Sequence, residues 1–122
     1  MNSFTNFILF TFMLTTAILI SNDNFSTNIY PQLVVKEVVI GPDQSKEGDS
    51  GYNPSNIIIT KGDQIMWLNK DFGIHTVTEN QGLFSSKDLR PDQTFEYTLE
   101  NAGTYDYHCK LHPEMVGKII VT

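Results

Sequence analysis

Cys109, His112 and Met115 place a thiolate, an imidazole and a thioether three residues apart in one seven-residue stretch near the end of a 122-residue chain. Cys109 is the only cysteine. Soft sulfur donors beside imidazole favour copper over magnesium or calcium, and two His, one Cys and a weak axial Met describe an electron-transfer copper site. The second histidine has to come from another part of the chain. His75 lies in Phe72-Gly73-Ile74-His75-Thr76-Val77, between turn residues and a β-branched run, where a second strand end would deliver it. Zinc is the other metal to weigh, but structural zinc takes four ligands from Cys, His and carboxylates, and a thioether is a poor substitute. Taken singly, a lone cysteine is usually a small buried hydrophobe and a methionine usually packing. Taken together, with two of only three histidines where ligands are needed, the set points to a metal.

These residues belong to a longer series of motifs. In chain order they are Tyr52-x-Pro54, Lys61-Gly62-Asp63, Trp67-x-Asn69, His75, Gly103-Thr104-Tyr105-x-Tyr107, Cys109-x-x-His112-x-x-Met115 and Gly117-Lys118-Ile119-Ile120-Val121. In this order and spacing, over residues 33–122, the chain resembles the cupredoxins, small type 1 (blue) copper proteins of the plastocyanin, pseudoazurin and amicyanin kind. The Cys-to-Met spacing is similar to the short loop of amicyanin. The resemblance implies one copper per chain, held by His75, Cys109, His112 and Met115. It implies a one-electron carrier, cycling Cu(II)/Cu(I) between transient donor and acceptor redox proteins, and not an enzyme. A copper storage or delivery protein using the same ligands is the alternative. The resemblance further implies that the Thr76 N–H bonds the thiolate, and that the His112 ring edge emerges in an apolar patch, here Leu111, Pro113 and Val116. Two departures stand out: Thr76 where the family commonly has Asn, and Leu111 where it often has Pro. Leucine keeps a backbone N–H that proline lacks, two residues beyond Cys109 and within reach of its sulfur.

The length allows one domain with a single two-layer core. Fourteen acidic against eight basic residues, a formal charge of −6, argue against nucleic acid or an anionic membrane surface as the main partner. A monomeric acidic carrier fits better. Copper enzymes with a second metal centre need further histidines, and after His75 and His112 only His108 remains. Residues 1–22 carry no charged side chain, and residues 7–20 form an apolar run of signal-peptide length. They read as a signal peptide or as a retained anchor that holds the protein to a membrane through residues 4–20. Either reading places the domain outside the cytoplasm, periplasmic or on the outer membrane face, secreted or anchored. Residues 23–32 are a polar linker, and residues 33–122 the copper-binding domain.

Within that domain, β-branched runs and turn residues predict an all-β fold, a Greek-key antiparallel β-sandwich of about seven to eight strands. Strands are expected over residues 33–40, 57–60, 64–69, 74–79, 94–99, 104–109 and 118–121. Lys61-Gly62-Asp63 is expected to close a hairpin between the second and third of these. Residues 41–56 read as a solvated loop bearing acidic side chains, and residues 81–92 as an irregular crossover. Strand alternation adds a test: if Cys109 points inward, so do Tyr107 and Tyr105, while Asp106 and His108 face out. His108 is then a surface histidine rather than a ligand.

Overall fold

The computed structural model describes residues 32–41 and 51–122. The expectations for residues 1–31 and for the acidic part of the loop, residues 42–50, lie outside them. Eight strands form: β1 (Val35–Ile40), β2 (Tyr52–Asn53), β3 (Asn56–Ile59), β4 (Gln64–Asn69), β5 (Thr78–Glu79), β6 (Thr94–Thr98), β7 (Gly103–His108) and β8 (Val116–Val121). They make two four-stranded sheets, β2-β1-β4-β6 and β3-β8-β7-β5. The described residues contain no helix, and hence none long and apolar enough to cross a membrane. The all-β sandwich is as the sequence leads one to expect. Its pairing is mostly antiparallel, with β1–β4 and β3–β8 parallel.

Alternation explains which residues fill the space between the sheets. Along β4, Ile65, Trp67 and Asn69 are buried while Gln64, Met66 and Leu68 are only partly so, and along β8 Gly117, Ile119 and Val121 face inward. Trp67 is fully buried and stands at the centre, with ring centroids 5.6 Å from Tyr107, 5.6 Å from Phe95 and 5.7 Å from Phe84. Burying each such side chain stabilises the fold by roughly 1.5–3 kcal/mol. Among the described residues neither Trp67 Nε1 nor the Tyr107 hydroxyl makes a hydrogen bond of ordinary geometry; burial pushes the Tyr107 hydroxyl up to about 12, with the neighbouring Trp67 N–H opposing the rise.

Three expected elements form differently: the strand expected over residues 74–79 forms only at Thr78–Glu79, the loop expected over residues 41–56 contains β2, and the expected hairpin is absent. The turn at Lys61-Gly62-Asp63 is closed, with the Asp63 N–H on the Thr60 carbonyl at 3.0 Å and the Thr60 N–H on Asp63 Oδ2 at 2.9 Å. Gly62 takes φ +88°, as such a turn requires. Yet β3 and β4 do not pair. β3 runs beside β8 in one sheet and β4 between β1 and β6 in the other, so the turn is a corner between sheets rather than a hairpin. The partner of β3 lies some sixty residues along the chain, beyond what a local turn signal reports.

Candidate metal centre

Two connections bring the candidate ligands together. β7 ends at His108, Cys109 follows, and the chain returns as β8 at Val116, so the segment between is spanned by an antiparallel pair. Inside it the Cys109 N–H bonds the Met115 carbonyl at 3.0 Å and the Met115 N–H bonds the His112 carbonyl at 2.9 Å. His75 arrives on the stretch before β5. Its backbone is fixed to Leu89 in both directions, N–H to carbonyl at 3.1 Å and carbonyl to N–H at 2.8 Å.

Cys109 is buried, with its Sγ 3.9 Å from His75 Nδ1 and 3.6 Å from His112 Nδ1. Sγ and one ring nitrogen from each histidine all lie within 4.8 Å of one another. The Thr76 N–H points at Sγ from 3.3 Å, which stabilises a thiolate. His75 and Met115 are buried and His112 half-buried, and the two imidazoles lie with ring centroids 4.8 Å apart. A thiolate, two imidazoles with converging Nδ1 atoms and a buried thioether on the same loop make a soft, compact donor set that fits copper. Residues 9–121 match the family model of the cupredoxin-like domain. The chain belongs to the cupredoxins.

It is 33% identical over 75 residues to the amicyanin of Paracoccus denitrificans, covering 57% of each chain. It is 33% identical over 89 residues to the amicyanin of Paracoccus versutus, covering 69% of this chain and 64% of that one. It thus spans under two thirds of the length of either relative. A purple cupredoxin from Nitrosopumilus maritimus superposes with a TM-score of 0.63 at 30% identity, over 71% of this chain and 99% of the other.

The expected departure at Thr76 has a structural explanation in this cupredoxin. The Thr76 hydroxyl accepts the Lys110 N–H at 2.8 Å, and its carbonyl accepts the Tyr52 hydroxyl at 2.6 Å. One residue therefore ties the His75 stretch to Cys109, to the loop and to β2. The expectation for Leu111 does not hold: among the described residues the backbone donor to Sγ is Thr76, and no bond from the Leu111 N–H forms. The strand parity is as argued. Tyr107 is buried, Asp106 is exposed, and His108 faces outward with its Nδ1 2.6 Å from Asn80 Oδ1.

Sequence reasoning missed the support behind His75. Asp71 Oδ2 lies 2.7 Å from His75 Nε2, so that Nε2 carries the proton and Nδ1 is free to bind metal. The bond from the His75 ring is the main reason the Asp71 carboxyl titrates below the usual carboxylate value, with burial opposing it. Asn69, fully buried at the end of β4, holds this corner. Its amide donates to the carbonyls of Gly73 (2.9 Å) and Leu89 (2.8 Å), and its Oδ1 accepts the Asp71 N–H at 2.9 Å. A carboxylate four residues before a candidate ligand histidine was the signal available. Leu111, Pro113 and Val116 are exposed as expected, and Phe72, 96% exposed, and Ile74 add apolar surface on the loop leading to His75.

Proposed function

We propose that this cupredoxin is a type 1 blue copper protein that carries single electrons between transient redox partners. The convergence of Cys109 Sγ with one ring nitrogen from each of His75 and His112, all within 4.8 Å of one another, is the observation that carries this reading. Bound copper supplies a Cu(II)/Cu(I) couple there. The chain's own contribution is to resist rearrangement, because a change of geometry on transfer becomes a barrier. His75 is fixed by its backbone bonds to Leu89 and by Asp71, and Cys109 by Thr76. Met115 would be the weak fourth donor that tolerates both oxidation states. His112, half-buried beside exposed apolar side chains, is the ring through which an electron would reach a partner. A small apolar contact suits a weak, short-lived complex, and tight binding would stall turnover.

His108, turned outward and bonded to Asn80, supplies no ligand for a second centre, which supports a carrier over an enzyme. We further read residues 1–22 as a signal peptide or anchor, residues 23–32 as a linker and residues 33–122 as the copper domain, working outside the cytoplasm. The decisive experiment loads the protein with copper and records optical and EPR spectra with voltammetry. A carrier gives an intense charge-transfer band near ~600 nm from thiolate to Cu(II) and a reversible one-electron wave. A site that holds only labile Cu(I) and shows neither would instead indicate storage or delivery.

A further inference from the structure

Gly51 immediately precedes β2 and adopts φ +84°, in the left-handed region. A Cβ at this position would stand 2.8 Å from Met115 Sδ, 2.9 Å from its Cγ and 3.0 Å from its Cε. All three are well inside van der Waals contact. The thioether therefore occupies the space that any side chain at residue 51 would take. The backbone there has little room to retreat. The Gly51 carbonyl accepts the Gly41 N–H at 3.0 Å, and the next residue, Tyr52, pairs with Ile40 while its hydroxyl is held by the Thr76 carbonyl at 2.6 Å.

Met115 is fixed differently. Its backbone is pinned by Cys109 and His112, but its side chain is unbranched, and a thioether would be a weak donor to copper. A side chain at residue 51 would thus be accommodated by moving the sulfur rather than the fold. We propose that Gly51 is a positioning residue for the candidate thioether donor: by lacking a side chain, it decides where Met115 Sδ stands and so would tune the reduction potential of a bound copper. This rests on Met115 being the fourth donor.

The test compares Gly51→Ala with Gly82→Ala. Gly82 has nearly the same backbone, φ +89°, but nothing within 4 Å of its added Cβ, so it reports the conformational strain alone. In the metal-free protein, the Met115 methyl resonance is expected to shift in Gly51→Ala and to stay in place in Gly82→Ala. In the copper-loaded protein, Gly51→Ala is expected to weaken a donor that favours Cu(II), changing the ratio of Cu(I) to Cu(II) affinity about tenfold and raising the potential by about 59 mV. In a Met115→Ala background, the same substitution should do nothing. A methyl resonance that does not move, or a potential shift that survives without Met115, overturns the proposal. If Gly51→Ala does not fold, recovery of folding in the double variant supports the clash, and continued failure rejects it. A Met115→Ala protein with unaltered spectrum and potential would instead remove Met115 from the ligand set, while the methyl shift would still report whether Gly51 places it.

Discussion

Each donor around Cys109 has its own support, so single substitutions separate their roles. Cys109→Ala is expected to abolish the blue band, whereas His108→Ala should leave it intact, because that ring bonds Asn80 on the other face of β7. An absorption spectrum of each variant checks this. Asp71→Asn removes the charge behind His75 and makes the ring a weaker donor to Cu(II). With about 1 kcal/mol for the net bond, the potential should rise by roughly 40 mV in voltammetry. The same residue carries a pH effect in the metal-free protein. Its carboxyl is depressed in the folded state, so the stability it contributes is present above the ordinary aspartate value of about 3.9 and is lost as pH falls through the lower folded value. Urea titrations at about pH 6 and about pH 3 should therefore show a smaller acid loss in Asp71→Asn than in the native chain. Because Leu111 donates nothing to Sγ, Leu111→Pro is expected to leave the potential nearly unchanged.

Strand pairing decides how firmly the ligand segment is held. Gly117 on β8 sits opposite Tyr107 on β7, and a Cβ there would clash with the hydroxyl end of the Tyr107 ring, which is itself buried. Gly117→Ala should cost about 3 kcal/mol, the upper end for overpacking a filled core, measurable as a lower urea midpoint. The sequence revealed this part of the molecule well. Cys109, His112 and Met115 recur every third residue in one short stretch, and the alternation in β7 and β8 shows which residues face inward. It revealed less where the deciding neighbour is distant. The Gly-Asp turn after β3 announces a reversal, but whether β4 returns beside β3 or crosses to the other sheet depends on competition from β8. Tyr52–Asn53 is too short to show a period, yet pairs with β1. Asp71 lay within local reach of His75, whereas the contact of Gly51 with Met115 exists only after the fold has formed.

Among the described residues, the exposed apolar side chains on the two segments that bear the candidate ligands include Phe72, Ile74, Leu111, Pro113 and Val116. Placing a charge among them should slow encounters without touching the metal. Phe72→Lys is expected to reduce electron self-exchange roughly tenfold, equivalent to about 1.4 kcal/mol of disfavoured contact, with the potential unchanged. NMR line broadening in mixtures of the two oxidation states measures this rate. The distribution of the ligands along the chain has a different consequence. Three of the four proposed ligands lie within seven consecutive residues, and His75 alone comes from elsewhere. When the protein unfolds, that short segment keeps its donors together and can retain a metal that has lost only His75. A ligand that also binds the unfolded chain stabilises the native state less than its native affinity suggests. Copper should accordingly raise the melting temperature by less than its affinity implies, and a refolding chain would carry its metal from the start, with the arrival of His75 as the closing step.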